Sequence, residues 1–378
     1  MHIAFDGKRA IQNFTGLGNY SRLLITELGH RDAHMHHWHL YAPRRPNGHP
    51  RITEFLSENP HLHLHYAHGW MGHMLPALWR SWGISKELQE DSIDIFHGLS
   101  GELPLNIHLH KNIRTVVTIH DLIFLHFPQY YRIPDRNIYT YKFRYACRHA
   151  DAIVAVSECT KRDIVRFFHI PEDKIHVIYQ GCSPSFALRA SEDLREKVTQ
   201  AYALPQNFIL NVGTIEERKN IGLAVQALPL LPQDVHLVIV GKSTEYTEKV
   251  LQLAQELNLL HRVRILQNVP FSHLPALYQM ARAFVYPSRY EGFGIPMLEA
   301  LSAGTPVVGA TGSCLEEAGG PDSLYVSPDS PEELGAALNE ILSNAPLARS
   351  LSEKGKQYAT RFSHGQQAAQ RLLKHFSH

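Results

Sequence analysis

The stretch "AFVYPSRYEGFGIPMLEALSAGTPVVGA" (residues 283–310) holds a complete strand–loop–helix–strand unit. Its two ends read as buried strands, because apolar side chains follow one another there without alternation. Between them a glycine-containing loop leads to Pro296, which suits the first position of a helix. Glu291 lies on the loop and Glu299 in the predicted first turn of that helix. The unit predicts a parallel sheet with a polar loop at the carboxyl end of a strand.

The same alternation of short apolar runs and helix-period stretches recurs along the 378 residues. Strands that alternate with helices form parallel sheets covered on both faces. We therefore predict an α/β chain with two doubly wound, Rossmann-like domains. The predicted N-terminal domain spans residues 1–185, the linker region 186–206, and the C-terminal domain 207–360.

The composition excludes several classes of protein. The chain has 37 Lys and Arg against 36 Asp and Glu, so it carries no field that would attract nucleic acid. Its four cysteines form no C-x-x-C pair, so we expect reduced thiols. The start "MHIAFDGKRA" has no signal-peptide pattern, and no run of about 18 apolar residues occurs. We expect a cytoplasmic protein.

Further polar residues and glycines lie near the ends of predicted strands, where open parallel sheets bind ligands. His120 ends the apolar run of "TIHDL". Arg218 and Lys219 lie before a helix, and adjacent cations in that place suit a diphosphate. Gly16 and Gly18 precede a predicted amphipathic helix and would let a ligand approach the backbone. They are no dinucleotide fingerprint, because they lie too far beyond the first strand and no carboxylate ends the second.

Structural alternatives stand beside these interpretations. Glu299 could complement the helix dipole, and Glu291 could be a surface charge. His120 could bond to backbone, and Arg218 and Lys219 could form a solvated turn. In "HLHLHYAH" (61–68), the alternate histidines indicate either an adventitious metal site or, as we expect, the polar face of a half-exposed strand. The tryptophan-rich "GWMGHMLPALWRSWGI" that follows is expected as a core helix and a loop, with contact to a lipid-linked acceptor as the alternative.

Taken together, these residues resemble the retaining glycosyltransferases of the GT-B fold, family GT4 (glycosyl transferases group 1). "EGFGIPMLE" is similar to the family's E-x7-E motif, and the likeness extends through "GLGNYSRLL", "TIHDL", "VGTIEERKNI" and "ALSAGTPVV" in the family's order. The resemblance implies two domains facing across a cleft and a C-terminal helix (361–378) that crosses back to the N-terminal domain. It implies transfer of a hexose from a nucleotide-diphosphate sugar to a saccharide or lipid-linked saccharide acceptor.

The resemblance also implies roles for individual residues. Glu291 would bind hydroxyls of the donor sugar, and Glu299 the ribose of its nucleotide. His120 would contact the sugar near the reacting carbon, while Lys219 and Arg218 would neutralise the leaving diphosphate. The remaining donor-binding residues would be Gly16, Gly18, Thr214, Val269, Phe293, Gly294 and Ile295. Thr214 departs from the pattern, since many relatives have an arginine there; Arg218 either supplies that charge or pairs with a carboxylate.

The family resemblance implies retention by same-face attack of the acceptor. The chain has no Asp-x-Asp pair, so we expect neither a metal ion nor another cofactor. Likeness to mannosyl- and rhamnosyltransferases that build bacterial surface polysaccharides favours GDP-mannose, with UDP- and TDP-sugars left open. A nucleotide-sugar epimerase and a catalytically silent sugar-binding protein are the two alternatives of other classes. Peripheral contact with the inner face of the cell membrane is a further expectation.

Overall fold

The computed structural model of the chain describes residues 1–32, 35–67 and 74–362. They fall into two compact units, Met1–Gly181 and Cys182–Ser363. Each unit is built on a parallel sheet with helices between its strands, so the predicted pair of Rossmann-like domains is confirmed. None of the helices in the described ranges has the length and apolar character needed to cross a membrane.

The first unit contains a seven-stranded sheet. Its strands are β1 His2–Asp6, β2 His37–Ala42, β3 Leu62–Tyr66, β4 Ile95–Gly98, β5 Arg114–Ile119, β6 Ala152–Ala155 and β7 Ile175–Val177. They are all parallel and follow the order β3-β2-β1-β4-β5-β6-β7. The α-helices are Lys8–Gln12, Gly16–Asp32, Pro50–Glu58, Pro76–Leu78, Ile84–Glu90, Ile123–His126, Ile133–His149 and Glu158–Phe168, and a π-helical turn spans Trp79–Gly83.

Burial on both faces explains why the first strand reads as a continuous apolar run. Ile3 and Phe5 point into the core on one side of the sheet, and Ala4 points into the core on the other. The helix Gly16–Asp32 contributes Ile25 to the first of these cores. A strand of alternating polarity would place polar groups in one of the two cores, at a cost of about 1–3 kcal/mol for each unpaired group.

The second unit contains a six-stranded sheet. Its strands are β8 Asn207–Val212, β9 Val235–Val240, β10 Val263–Leu266, β11 Ala283–Tyr286, β12 Val307–Ala310 and β13 Leu324–Val326. They are also parallel, in the order β10-β9-β8-β11-β12-β13. The α-helices are Glu192–Tyr202, Ile221–Ala227, Glu245–Glu256, Leu274–Met280, Ile295–Ala303, Leu315–Gly319, Pro331–Ser343 and Ala345–Ala359.

The expected linker region, 186–206, lies within the second unit and contains the helix Glu192–Tyr202. Ser191 caps this helix, and Val198 is fully buried, so the segment is anchored to the unit. Of the predicted crossover helix, 361–378, residues 363–378 lie outside the described residues. Phe362, at the edge of that segment, packs on Phe293 with 5.7 Å between ring centroids.

The histidine-rich strand β3 has the expected half-exposed character. His63 is exposed, and Nε2 of His65 lies 3.0 Å from Nδ1 of His39 on the neighbouring strand. Nε2 of His39 lies in turn 3.1 Å from Nδ1 of His2. In the described ranges, no group of three or more His, Cys, Asp or Glu side chains could hold a metal ion. The histidines form a hydrogen-bonded polar face of the sheet.

Gly16 and Gly18 lie inside the first turn of the helix Gly16–Asp32, so the prediction that they precede it is wrong. The physical reason is Asn13, whose Oδ1 accepts hydrogen bonds from the amides of Thr15 at 2.9 Å and Gly18 at 3.1 Å. A Cβ on Gly18 would lie 1.9 Å from the Asn13 carbonyl oxygen, whereas one on Gly16 would meet nothing within 4 Å. Packing therefore requires the second glycine and not the first.

We expect Gly18→Ala to lower the thermal unfolding midpoint by several degrees. The added methyl group must displace the Asn13 backbone, and overpacking of this kind costs about 1–3 kcal/mol. Gly16→Ala is the matched control, because it makes the same chemical change two positions earlier in the same turn; its midpoint should stay within about a degree or rise. Circular dichroism melts of both variants measure the difference. Equal shifts in the two variants would contradict the crowding at Gly18.

Candidate active site

The strand order of the second sheet reverses between β8 and β11, which are neighbours at its centre. Ligands of open parallel sheets bind beyond the carboxyl ends of the strands at such a point. The segment after β8 carries Arg218 and Lys219, and the loop after β11 carries Ser288 and Glu291. Two segments far apart in sequence are thereby brought to one place.

Glu291 is at the centre of this group of side chains. Its Oε1 accepts hydrogen bonds from Lys219 Nζ and, at 2.6 Å, from Ser288 Oγ. Nη1 of Arg218 lies 2.9 Å from the same oxygen. Burial alone would raise the pKa of this carboxyl, but the two cations and the hydrogen bonds lower it to about 2. Glu291 is 8% exposed and ionised at neutral pH, so it is no surface charge.

All these contacts are made by Oε1 of Glu291. Oε2 takes part in none of these three contacts. Lys219 is fixed by a second contact, because its Nζ also donates to the Tyr286 hydroxyl at 2.6 Å. Burial lowers the pKa of Lys219, whereas Glu291 opposes that shift. The carboxylate therefore stabilises the charge of the buried ammonium group.

Arg218 pairs with two carboxylates in the structure. Besides Glu291, its guanidinium reaches Oε1 of Glu216 at 2.5 Å, and its Nη1 donates to the Tyr290 carbonyl at 2.6 Å. Of the two alternatives for Arg218, the pairing with a carboxylate is therefore present. A contact with a diphosphate stays a prediction. Thr214, the position where many relatives have arginine, is half-buried on the segment between β8 and Arg218.

The loop enters the helix Ile295–Ala303 through Gly294, whose φ of +110° only glycine adopts without strain. A Cβ there would also lie 2.9 Å from Leu315 Cδ2. The Phe293 side chain is buried, so it does not itself offer a surface to a ligand. Pro296 is the second residue of the helix rather than the first. Val269 is half-buried beyond the carboxyl end of β10, at the same edge of the sheet.

Glu299 is the fifth residue of this helix and lies in its second turn, so its predicted place in the first turn is wrong. It is 8% exposed and accepts a hydrogen bond from the Tyr278 hydroxyl at 2.8 Å. Burial raises the pKa of its carboxyl from 4.5 to about 7, and the tyrosine opposes that shift only in part. A buried carboxyl in the second turn does not complement the helix dipole.

In the first unit, His120 follows β5 and is held by both ring nitrogens. Nε2 donates to the Leu99 carbonyl at 2.9 Å, which leaves Nδ1 to accept from Gln180 Nε2 at 2.7 Å. The Tyr20 ring contacts it edge-on, with 4.7 Å between centroids. Burial lowers the pKa of His120 to about 4. His120 is therefore a neutral ring of fixed orientation, and this arrangement leaves it no nitrogen for proton transfer.

Sequence reasoning missed four residues that position the candidate site residues. Gln180 orients His120, Tyr286 and Ser288 hold Lys219 and Glu291, and Tyr278 holds Glu299. Three of the four lie at or just after the carboxyl end of an apolar run, which is the signal that could have identified them: Gln180, Tyr286 and Ser288. No comparable signal pointed to Tyr278, which lies on the helix Leu274–Met280.

The comparisons with known proteins follow the division into two units. Residues 14–186 match the model of Glycosyltransferase Family 4, and residues 195–358 match that of Glycosyl transferases group 1. The chain is 30% identical to O-antigen chain mannosyltransferase B of Escherichia coli, with 96% of each protein covered. The chain belongs to glycosyltransferase family 4.

Two further comparisons agree with this membership. The glycosyltransferase is 31% identical to O-antigen chain mannosyltransferase RfbU of Salmonella typhimurium over 60% of each chain. Its fold is similar to that of Anabaena Alr3699/HepE, solved in complex with UDP and glucose, with a TM-score of 0.79 and 17% identity over 100% of this chain and 99% of that one. The predicted activity class and GT-B fold class are confirmed.

The contribution of Glu299 to the stability of the folded transferase should depend on pH. Its pKa of about 7 in the folded protein exceeds the ordinary value of 4.5, so the folded state binds the proton more tightly. This contribution to stability is complete below pH 4.5 and is lost as the pH rises to about 7. Glu299→Gln removes the titration and keeps an acceptor for Tyr278. The difference in free energy of unfolding between this variant and wild type should shift in favour of the variant by on the order of 2–3 kcal/mol between pH 5 and pH 8.

Thermal melts of wild type and Glu299→Gln at both pH values measure this difference. The exposed Glu248, on another helix of the same unit, supplies the matched control Glu248→Gln, which should follow wild type at each pH. A difference between wild type and Glu299→Gln that is the same at pH 5 and pH 8 would contradict the raised pKa.

Proposed function

We propose that this glycosyltransferase transfers mannose from GDP-mannose to a saccharide or lipid-linked saccharide acceptor in the synthesis of a bacterial surface polysaccharide. The observation that carries the proposal is the ionised Glu291, held by Lys219 and Arg218 at the switch point of the second sheet. The choice of mannose is supported by the names of two relatives, both O-antigen chain mannosyltransferases. The similar solved structure that contains UDP and glucose makes a UDP-sugar the competing donor.

In the proposed reaction the two cations hold the donor's diphosphate. The acceptor oxygen forms a bond to the anomeric carbon on the face from which the phosphate oxygen departs, and the acceptor's proton passes to that oxygen. Configuration at the anomeric carbon is therefore retained without a covalent enzyme intermediate. Negative charge grows on the leaving diphosphate, and preorganised cations stabilise such charge most effectively. The proposal requires no metal ion, because Lys219 and Arg218 supply the positive charge.

Glu291 has a different part in the proposed reaction. Oε1 fixes the two cations, while Oε2 accepts hydrogen bonds from hydroxyls of the donor sugar. Because its pKa is about 2, the carboxylate is charged before the substrate arrives. Its negative charge then favours the positive charge that develops on the sugar ring. Glu299, on the second turn of the following helix, would bind the ribose of the nucleotide.

A lipid-linked acceptor would bring the enzyme to a membrane surface. In the described part of the tryptophan-rich stretch, Trp82 is 51% exposed and Leu78 is 47% exposed, whereas Trp79 is buried. Exposed tryptophan and leucine side chains suit the interface between lipid and water. We include peripheral membrane contact of this surface in the proposal.

A panel of donors tests the proposed function. The full chain is incubated with GDP-mannose, UDP-glucose, TDP-glucose and ADP-glucose, and free nucleoside diphosphate is measured with and without EDTA. We expect GDP release from GDP-mannose, slow with water, faster with an added saccharide acceptor, and unchanged by EDTA. In thermal-shift measurements, GDP at 100 times its dissociation constant should add about 2.7 kcal/mol.

The possible outcomes of this panel are distinct. Stabilisation by UDP or TDP alone would remove GDP-mannose from the proposal and leave a transferase with another donor. Sugar interconversion without release of any diphosphate would identify an epimerase. Binding without either reaction would identify a catalytically silent protein. A loss of activity in EDTA would overturn metal independence.

Kinetics of three variants test the proposed residues. Glu291→Gln should lower turnover by roughly 10²-fold, because it removes a charge that acts in the transition state. Glu299→Gln should mainly raise the donor's Michaelis constant, since a ribose contact acts on ground state and transition state alike. Lys219→Ala should impair both parameters. Because Glu291→Gln leaves the buried ammonium of Lys219 without its anion, the thermal midpoint of each variant is measured first.

Glu217→Gln is the matched control, because Glu217 is exposed and lies next to Arg218 in the chain. It should have wild-type kinetics. If Glu291→Gln kept wild-type turnover while still binding the donor, the role assigned to the loop after β11 would be wrong.

A further inference from the structure

A cavity of about 730 Å³ lies at the amino edge of the second sheet, opposite the edge that carries Glu291. Phe208 lines it from the start of β8, Arg282 from the residue before β11, and Pro306 from the residue before β12. Four helices complete its walls: Glu192–Tyr202, Leu274–Met280, Pro331–Ser343 and Ala345–Ala359. This volume is within the range of small-molecule sites, about 300–1,000 Å³.

Three arginines from three different elements line this cavity. Arg195 comes from the first of the helices, Arg282 precedes β11, and Arg349 comes from the last helix. Among the described lining residues there is no Asp or Glu, and within the described part of the chain none of the three guanidinium groups forms an ion pair. The lining therefore has three positive charges and no compensating carboxylate.

Arg195 is the least exposed of these charges. Its Nη2 donates to the Gln279 carbonyl at a long 3.4 Å, and its buried Nε has no hydrogen-bond partner among the described residues. A buried donor left without an acceptor destabilises the folded protein, because it has lost its hydrogen bonds to water. Arg282 and Arg349 are exposed, so their side chains can turn toward a bound anion. The cavity thus lacks an acceptor that an anionic ligand would supply.

The chemistry of the lining indicates which anion fits. Guanidinium groups form paired, charge-assisted hydrogen bonds with phosphoryl oxygens. The rest of the lining includes the apolar side chains of Leu204, Phe208, Met280 and Ile341, which suit the carbon skeleton of a ligand. We propose that this cavity binds a soluble small molecule that carries one or more phosphoryl groups.

This site is separate from the donor site proposed above. The two lie at opposite ends of the same strands, and β8, with six residues, spans about 20 Å. Residues of the cavity and of the donor site therefore do not share a ligand. The phosphoryl ligand of the cavity is an additional molecule, and its binding does not depend on which sugar the enzyme transfers.

Pyrophosphate is the probe for this proposal, measured by isothermal titration calorimetry on the full chain. Lys219→Ala is the parent protein, so that diphosphate binding at the proposed donor site is weakened. In this parent, Arg282→Gln combined with Arg349→Gln should raise the dissociation constant at least tenfold. Arg148→Gln combined with Arg162→Gln is the matched control, because it removes the same charge from exposed arginines of the first unit and should change affinity less than twofold.

Four results would overturn the proposal. One is the absence of pyrophosphate binding to the parent, and another is unchanged affinity in the cavity variant. Equal losses in the two double variants would show a general effect of net charge. Binding to phosphatidylglycerol vesicles without binding to pyrophosphate would show a lipid surface in place of a soluble ligand. Circular dichroism melts of all variants confirm that each is folded, which is expected because the four substituted arginines are exposed.

Discussion

The parallel alignment of every strand pair in the two sheets is the constraint on which the candidate site depends. It sends the segments that follow β8 and β11 to the same edge, and the reversal of strand order between these neighbours lets the two segments meet. Lys219 and Glu291 contact each other for this reason, although 72 positions separate them in the chain. The amino ends of the same strands form the opposite edge, where the arginine-lined cavity lies. The two edges therefore differ in chemistry, because Glu291 compensates the cations at the first and no described lining carboxylate does so at the second.

Two buried glutamates of one strand–helix unit have pKa values on opposite sides of the ordinary range. Two cations lower the pKa of Glu291 to about 2, whereas Glu299 has only the Tyr278 hydroxyl and its pKa rises to about 7. Sequence spacing alone makes the two positions look equivalent, yet their surroundings make them different groups at neutral pH. One is a permanent charge, suited to a contact that strengthens in the transition state. The other can bind a hydroxyl pair as a neutral or a charged group, which suits ground-state recognition.

Much of the fold could be predicted from the sequence, because central parallel strands are buried on both faces and their apolar runs are unbroken. The apolar runs "HIAFD" (2–6) and "HWHLYA" (37–42) coincide with β1 and β2. β13 gives a weaker signal in the sequence, because it has only three residues, of which two are half-buried. The sequence predicts a linker region where the helix Glu192–Tyr202 lies, because this segment is mostly polar and Val198 is its single buried residue.

In the site, the residues at strand ends were accessible to prediction, whereas pairs that form only on folding were not, as Tyr278 shows. This tyrosine is fully buried and lies on the helix Leu274–Met280. The next two residues of that helix, Gln279 and Met280, line the cavity. The Gln279 side chain accepts from the Ala190 amide at 2.9 Å and donates to the Leu188 carbonyl at 2.7 Å, so the end of the helix is fixed. The preceding residue, Tyr278, donates a hydrogen bond from its hydroxyl to Glu299. The hydrogen bond from Tyr278 favours the charged form of the Glu299 carboxyl. This short helix therefore contacts the cavity through Gln279 and Met280 and the Glu299 carboxyl through Tyr278.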